Sequence, residues 1–468
     1  MNENDNATEV KGQQVQLKRD MKTHQVAMIS VGGTIGTGLF LGTGYIMQQA
    51  GPIGTFIAYS LGALIMVLMM ICLGEMLVAM PVAGNAQVYA TKFLGYEAGF
   101  SYGWIRCLEL SVTVPTQIVA SAIYMTNIFP TVPNIVWIVG FMLLIFILNS
   151  TSSKDFGASS FFFSSFKFIL IVLFVIVGFG MIFGLVGDKA LGLSNYVNDG
   201  GLFPTGIRPI LMCMMTSLFA YTGADMFAAS ASESKNPGKT LPRVIKISCI
   251  SIIAAYAITL FVLVAVLPWR QADLMGSPFA YAFREAGFKY AEIFVNIIVV
   301  TSALSSANAH CYASTRMLWS MGNSEQAPKA LGKLNKRSIP MNTLIVTMAF
   351  GLFAIAASIL SPDKVYLFLT TFLSAASLVI YAIIGISAMA FRKNYVSNGG
   401  KVSNLNFKIP LYPLTPILLI ALCVASAVGV FFDPTQRLSI IMGVPIFVAV
   451  YIVGIILSKR IGNNMKEQ

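Results

Sequence analysis

The feature that most constrains this chain is a series of apolar runs too long for a soluble fold to cover. One run extends from Ile53 to Leu73 and another from Ile247 to Leu267, both without a charged residue. An α-helix needs about 20 apolar residues to cross the hydrocarbon core of a bilayer. With 56% hydrophobic and only 11% charged residues, the chain has too few polar side chains to coat a water-soluble surface. The runs therefore predict an all-α integral membrane protein.

The apolar runs predict twelve transmembrane helices, with ends placed to within about three residues. They lie near residues 25–49, 53–79, 98–128, 133–149, 159–186, 207–231, 244–267, 289–320, 342–360, 364–390, 413–432 and 438–457. The expected organisation is a tail at residues 1–22, one transmembrane domain at 23–460 and a second tail at 461–468.

The basic residues behind the net charge of +12 are distributed unevenly between the loops on the two sides of the membrane. If the N-terminus is inside, 21 of the 31 lysines and arginines lie in cytoplasmic segments and six in external ones. Cytoplasmic loops are enriched in lysine and arginine, so this distribution predicts both termini in the cytoplasm. The excess charge is thereby explained by membrane topology, and nucleic-acid binding is not expected.

Two predicted spans contain residues that a packing helix does not need. Span 1 has five glycines between Gly32 and Gly42, and each weakens a helix by roughly 1 kcal/mol. Span 6 places Gly223 two residues before the acidic Asp225. Close helix packing through small residues is one explanation of the glycines. Interrupted helices in equivalent positions of two repeats indicate a transporter site, and spans 1 and 6 are five apart, as two five-helix repeats require.

Broken helices of this kind suit a ligand that carries both charges. Free N–H groups at the start of a half-helix attract an anion, and free carbonyls at the end of a half-helix attract a cation. An α-amino acid has a carboxylate and an ammonium on one carbon, so it fits such a pair of breaks.

The chain resembles the amino acid–polyamine–organocation superfamily, and within it the bacterial amino acid transporter family. The resemblance covers about residues 20–460. It is carried by the ordered motifs Gly33-Thr34-Ile35-Gly36-Thr37-Gly38-Leu39-Phe40, Leu73-Gly74-Glu75-Met76, Tyr89-Ala90-Thr91-Lys92-Phe93, Glu233-Ser234-Lys235-Asn236-Pro237 and Ser314-Thr315-Arg316-Met317-Leu318.

The resemblance implies a LeuT-type fold, in which two five-helix repeats are inverted relative to each other and helices 1 and 6 are broken. Repeat one would cover about 25–186, repeat two about 207–390, and two peripheral helices about 413–457. It also implies proton-linked or exchange transport of amino acids across a bacterial plasma membrane, with no enzymatic activity, by a monomer or weak dimer.

The resemblance also implies two sets of substrate-binding residues. The turn that binds the carboxylate would comprise Gly36, Thr37 and Gly38, flanked by Thr34 and Ile35. The substrate amine would be bound by the backbone carbonyls of Phe219, Ala220 and Thr222. Phe219 and Tyr221 match positions where members of the family have gating aromatic residues.

Ionisable residues within the membrane are costly and mark functional candidates. Lys167 in span 5 matches a lysine that, in proton-coupled relatives, resembles a replacement for a sodium ion. Burial disfavours a charged ammonium, so such a lysine can release a proton. We expect it near Gly32 and the Ser305–Ser306 region. The alternative is a lysine that extends its amine to a membrane face.

Three further ionisable positions distinguish this chain. Asp225 stands where the family usually has glutamate, and we expect it to line the site and to be a second candidate for proton coupling. Arg106 and Glu109 are spaced i,i+3 and can pair on one helix face. Alternatively, Glu109 binds the substrate side chain and helps to determine which substrate is recognised. Glu75 is expected to pair with a base at the cytoplasmic side or with a helix end.

No metal or cofactor is expected. The six cysteines all fall inside predicted spans, and the phosphate-binding motif of ATP-driven proteins is absent from the sequence. The sequence therefore predicts a proton-coupled amino acid permease, whose partners are a free amino acid, protons and the bilayer. A neutral substrate is favoured and a cationic one is second. An exchanger and a non-transporting sensor are the alternatives, and a channel is disfavoured because no selectivity filter is evident.

Overall fold

The computed structural model describes residues 23–81, 86–150, 153–187, 189–228, 237–272, 278–287, 291–335, 337, 339–358, 362–433 and 436–464. Tail residues 1–22 and 465–468 lie outside these ranges.

The described chain is built from helices. The α-helices are α1 Thr23–Thr34, α2 Thr37–Phe40, α3 Gly42–Ala79, α4 Ala86–Leu94, α5 Tyr96–Ile128, α6 Asn134–Asn149, α7 Ser153–Ile182, α8 Arg208–Phe219, α9 Pro237–Val266, α10 Pro278–Glu285, α11 Ala291–Asn323, α12 Met341–Ser358, α13 Pro362–Ser397, α14 Leu414–Phe431 and α15 Arg437–Asn464. Short 3-10 helices, among them Ala224–Ala228, lie between them.

Eight helical segments among the described residues are long and apolar enough to cross a membrane. Three shorter apolar helices accompany them, at Asn134–Asn149, Phe166–Ile182 and Met341–Leu352. The all-helical, membrane-spanning architecture is thus confirmed, while the count of twelve spans remains a prediction.

The predicted boundary between spans 1 and 2 falls within α3. At Gly51 the backbone turns to φ 71°, and Pro52 follows directly. A Cβ atom at Gly51 would lie 2.7 Å from Pro204 Cγ, so both the conformation and the close contact require glycine. A kink at Gly51 therefore divides α3 into two helical stretches.

Helix α5 occupies the interior of the bundle and packs against α11, α13, α12, α15 and α6. Hydroxyl groups connect three of these helices: Ser111 Oγ lies 2.7 Å from Ser314 Oγ, which lies 3.0 Å from Thr347 Oγ1. In a bilayer such groups need internal partners because water is absent. These contacts fix α5, which carries Arg106 and Glu109.

The connection between α14 and α15 reaches into the bundle, although most residues of both helices are not buried within the protein. Gln436 is 1% exposed. Its Oε1 accepts hydrogen bonds from Thr216 of α8 and Thr371 of α13, both at 3.2 Å. The α14–α15 connection is therefore joined to the central helices.

Glu75 forms the expected pair, and its partner is Arg392 at the end of α13. Arg392 donates from Nε at 3.0 Å and from Nη2 to the two carboxylate oxygens. The backbone N–H of Ile409 also donates to Glu75 Oε2, at 2.6 Å. This fork-shaped contact joins α3, α13 and the segment that follows α13.

We expect Glu75→Gln to lower the free energy of unfolding by about 3 kcal/mol, because it leaves the Arg392 guanidinium without its counter-charge. Thermal unfolding in detergent measures the effect. Glu285→Gln is the matched control, since Glu285 is half exposed and its contact to Arg284 is 4.0 Å long. That variant should change stability by less than about 0.5 kcal/mol. Equal effects would contradict a stabilising role for the buried pair.

Candidate substrate and coupling site

The first break lies where the glycine-rich segment predicted it. Helix α1 ends at Thr34 and α2 begins at Thr37. Gly36 between them has extended backbone, with φ −142° and ψ −153°. The Thr37 N–H lies 3.4 Å from Gln117 Oε1 of α5, a long hydrogen bond. This amide is thus held by a side chain at the position where the resemblance implies carboxylate binding.

The second break separates α8 from the 3-10 helix Ala224–Ala228 and passes through residues 220–223. Gly223 has φ 92°, a conformation that favours glycine, and a Cβ there would lie 3.0 Å from Gly33 O. Ser30 Oγ donates to Ala224 O at 2.6 Å. The two interrupted helices therefore meet backbone to backbone.

Gly38 is the tightest point of this meeting. A Cβ atom at Gly38 would lie 2.5 Å from Ala220 Cα, whereas one at Gly36 would lie 3.0 Å from Gln117 Nε2. A side-chain amide can move aside, but backbone cannot. Substitution at Gly38 should therefore disturb the site more than substitution at Gly36.

We expect Gly38→Ala to weaken substrate binding at least about tenfold, because the added methyl group would push the two breaks apart. Gly42→Ala is the control, since its Cβ would be 3.9 Å from the nearest side chain, Thr216. Binding of a radiolabelled substrate to purified protein measures both. Equal affinity in the two variants would show that the close approach of the breaks is not needed.

The carbonyl groups of the second break are partly occupied. The Tyr256 hydroxyl of α9 donates to Ala220 O at 2.7 Å, and Thr222 Oγ1 donates to Phe219 O at 2.7 Å. Phe219 O also accepts from the Thr222 N–H at 3.1 Å, which occupies both of its lone pairs. Ala220 O keeps one lone pair for a ligand. Tyr256 was not identified from the sequence, where nothing distinguishes it from other tyrosines in apolar helices.

The two aromatic residues of the second break have different surroundings. Phe219 packs edge-on against Tyr366 of α13, with ring centroids 6.4 Å apart. Tyr221 stacks on Tyr256 at 4.9 Å and donates to Tyr59 O at 3.0 Å. Phe219 is therefore the better candidate for an aromatic residue that covers the site, while Tyr221 packs between α3 and α9.

Two buried hydroxyl groups near the first break have no hydrogen-bond partner among the described residues. They are Thr37 Oγ1 and the Tyr366 hydroxyl. Both side chains are at most 1% exposed. Leaving a buried polar group unpaired costs about 1–3 kcal/mol, so such atoms need an explanation. A polar ligand at the Gly36–Gly38 turn provides one.

Lys167 lies against the first break, as expected. It is 1% exposed, and its Nζ donates to Gly32 O at 2.6 Å and to Ile35 O at 2.9 Å. Ser306 Oγ of α11 lies 3.4 Å from the neighbouring Gly33 O. The amine therefore does not extend to a membrane face, and it contacts the carbonyls of the broken segment.

On the other side of the second break, Arg106 joins two carboxylates. Its Nη1 pairs with Glu109, and its Nη2 lies 2.8 Å from Asp225 Oδ1. Ser377 of α13 donates to the other oxygen of Glu109. The expected i,i+3 pair is thus one half of a network, and Asp225 is its unforeseen third member.

This network is incomplete in its hydrogen bonds. Asp225 Oδ2 and Arg106 Nε are buried and unpartnered among the described residues. The Tyr102 and Tyr381 hydroxyls are unpartnered in the same sense. Two carboxylates and one guanidinium carry a formal charge of −1 when all are ionised, which is costly in a low-dielectric interior. A proton or a cationic group at Asp225 Oδ2 would remove that excess.

The structure therefore brings most of the predicted residues together. Thr34 to Gly38 and Phe219 to Thr222 form the two facing breaks, with Lys167 behind the first and Glu109 with Asp225 beyond the second. Within the part of the chain that the structure describes, no cluster of histidine, cysteine and acidic residues has the arrangement of a metal site.

Helices of membrane-spanning length, together with two interrupted helices that meet beside buried unpaired polar groups, define a multi-pass membrane protein. A family model described as amino acid permease matches residues 25–462, and the chain belongs to this family. Its members and the relatives below are transporters rather than enzymes.

Three relatives show the extent of the similarity. The chain is 40% identical over 450 residues to the amino-acid permease RocE of Bacillus subtilis (strain 168), covering 95% of this chain and 96% of the relative. It is 40% identical over 442 residues to a putative histidine permease of the same organism, covering 94% and 93%. It is 33% identical over 461 residues to the lysine-specific permease LysP of Lactococcus lactis, covering 94% and 90%.

Proposed function

We propose that this protein takes up an amino acid into a bacterial cell by proton-coupled alternating access. The proposed architecture has twelve transmembrane helices with both termini in the cytoplasm, and residues 25–186 and 207–390 form the two inverted repeats. The observation that carries the proposal is the position of Lys167. A buried amine is bonded to the broken helix that also presents the candidate carboxylate site.

In this proposal the substrate carboxylate binds at Gly36, Thr37 and Gly38, and displaces Gln117 from the Thr37 N–H. The unpartnered hydroxyl of Thr37 supplies a second donor. The substrate amine binds at the carbonyls of Phe219, Ala220 and Thr222. Binding at both ends of one small molecule draws the two repeats together, because each repeat contributes one break.

Coupling follows from the charge of Lys167. A protonated amine attracts the carbonyls of Gly32 and Ile35 strongly, and the neutral amine does so only weakly. Loss of the charge on the low-proton side would free α1 to move.

Asp225 provides a second proton position in this proposal. Both oxygens of Glu109 accept hydrogen bonds, one from Arg106 and one from Ser377. Asp225 has one oxygen bonded to Arg106 and one without a partner among the described residues, and it is therefore the second candidate for proton coupling. A single proton on Asp225 would make the network neutral.

Two substrate classes fit the site. A neutral amino acid is the first candidate, because Arg106 occupies both carboxylates and leaves no free ion pair for the ligand. A cationic amino acid is the second candidate, since Asp225 Oδ2 is unpartnered. Two of the relatives described above are named for lysine and histidine, which favours the second candidate.

Uptake into proteoliposomes tests the function. A proton-coupled permease accumulates labelled substrate when the outside is acidic. A protonophore, which dissipates the pH gradient, should abolish this accumulation. An obligate exchanger requires amino acid or amine inside the vesicles and ignores the pH gradient, whereas a sensor binds substrate without any uptake. Competition with a panel of neutral, cationic and acidic amino acids identifies the substrate class.

A further inference from the structure

A groove of about 700 Å³ opens beside the C-terminal part of α13, against the segment that joins α13 to α14. Its lining includes Ile386, Met389 and Val396 of α13 and, beside them, Arg392 and Lys393. The volume is within the range of small-molecule sites. No part of the proposed transport site lines it.

The walls of the groove are fixed by buried contacts. The Arg392 guanidinium lies over the ring of Tyr412 at 4.4 Å, which joins α13 to the opposite wall. Glu75 binds Arg392 and the Ile409 N–H at once. Leu405 and Ile409 are buried beneath the segment. The shape of the groove is therefore fixed by the Arg392–Tyr412 contact, by the bonds of Glu75 and by the buried side chains of the segment.

One part of the groove is basic and has unused donors. Lys393 is exposed, and its amine has no partner among the described residues. Arg392 uses Nε and Nη2 for Glu75 and leaves Nη1 available. No acidic side chain is among the described residues that line the groove. An anion is therefore the complementary ligand for this part.

The groove lies at a boundary in polarity. Residues 365–391 contain no charged side chain, and Arg392 and Lys393 follow directly. Ile386 is seven residues before Lys393, which corresponds to about 10 Å along the helix. Ile386 is 41% exposed, and Leu414 and Ile417 of the adjacent α14 are 56% and 50% exposed. The groove thus extends from an apolar surface to a basic one.

We propose that this groove binds one anionic phospholipid. The phosphate contacts Lys393 and the free donor of Arg392, and an acyl chain lies along Ile386 and Met389. Basic pockets next to apolar helix surfaces at the cytoplasmic face are suited to anionic headgroups. A soluble anion would make no contact with the apolar part, and a neutral lipid would leave the charge of Lys393 uncompensated, since Glu75 already balances Arg392. The proposal is independent of the solute that the protein carries.

Native mass spectrometry of the detergent-purified protein tests the proposal. Phosphatidylglycerol and phosphatidylcholine with identical acyl chains are titrated separately, and the Kd of the first bound lipid is measured. We expect the wild-type protein to prefer phosphatidylglycerol. Lys393→Gln should weaken the binding of phosphatidylglycerol about fivefold, because one basic residue contributes about 1 kcal/mol to it. The Kd of phosphatidylcholine should not change.

Two further variants make the outcome specific. Lys401→Gln removes an exposed lysine of the same segment that does not line the groove, and it should have no effect. Ala390→Trp fills the groove and leaves its charged residues in place, so it should weaken the binding of both lipids. The proposal is overturned if the two lipids bind wild-type protein equally, or if Lys393→Gln behaves like Lys401→Gln. Displacement of the lipid by excess inorganic phosphate would also overturn it, in favour of a soluble anion.

Discussion

Lys167→Ala should abolish the dependence of uptake on the proton gradient. Without the amine, nothing links protonation to the carbonyls of Gly32 and Ile35, so substrate equilibrates instead of accumulating. In the wild-type protein, raising the external pH should lower initial uptake, because fewer transporters begin the cycle protonated. In Lys167→Ala the same titration should give a flat profile. Substrate affinity should stay within about tenfold of wild type, or about 1.4 kcal/mol.

Lys167→Arg provides the opposite test at the same position. A guanidinium does not lose its proton under these conditions, so this variant should bind substrate but remain inactive in transport. Lys92→Ala is the matched control, since Lys92 is exposed on α4 and should leave the pH profile unchanged. If Lys167→Ala concentrates substrate as far as the wild-type protein does, the coupled proton is carried elsewhere, and Asp225 is the next candidate.

Arg106→Leu should be the most destabilising single substitution in the bundle. It leaves the Glu109 and Asp225 carboxylates close together without their shared cation. Removing one partner of a buried ion pair costs about 3–5 kcal/mol, and here two carboxylates lose the same partner. Arg106→Lys should rescue stability only partly, because a single ammonium cannot reproduce the forked contact with two acids. Thermal unfolding in detergent measures all of these variants.

The triple variant Arg106→Leu, Glu109→Gln, Asp225→Asn separates structure from substrate recognition. Removing all three charges leaves no uncompensated ion, so its stability should exceed that of Arg106→Leu. If the network is structural, the triple variant should retain the wild-type order of competing substrates. If Asp225 or Glu109 instead recognises a cationic side chain, lysine and histidine should no longer compete for uptake in the triple variant, even though its stability has recovered.

The sequence was informative wherever a residue type conflicted with its setting. Glycines within an apolar span revealed the break between Thr34 and Thr37, because they weaken the helix at that point. A lysine among phenylalanines revealed Lys167, because charge within a membrane span is rarely neutral to function. In both cases the unfavourable free energy of the residue at its position could be recognised from the neighbouring sequence alone, without knowing which residues it contacts.

Partners far apart in the sequence were not predictable. Arg106 and Asp225 are 119 residues apart, and helical periodicity cannot show which faces meet in space. Gln117, Tyr256 and Tyr366 are polar residues in apolar helices, and nothing local distinguishes them from tyrosines and amides that only pack. Gln117 and Tyr256 act through hydrogen bonds that form once α5 and α9 surround the breaks. Tyr366 of α13 acts through its ring contact with Phe219.

Helix α13 has a mechanical consequence because it is unbroken from Pro362 to Ser397. Tyr366 packs on Phe219 near one end, Ser377 bonds to Glu109 in the middle, and Arg392 binds Glu75 near the other end. From Tyr366 to Arg392 the helix is about 39 Å long. A stiff rod held near its centre behaves as a lever: when one end swings inward, the other swings outward. If the protein alternates its access as proposed, we expect closing of the aromatic contact at Phe219 to be coupled to loosening of the ion pair at Glu75.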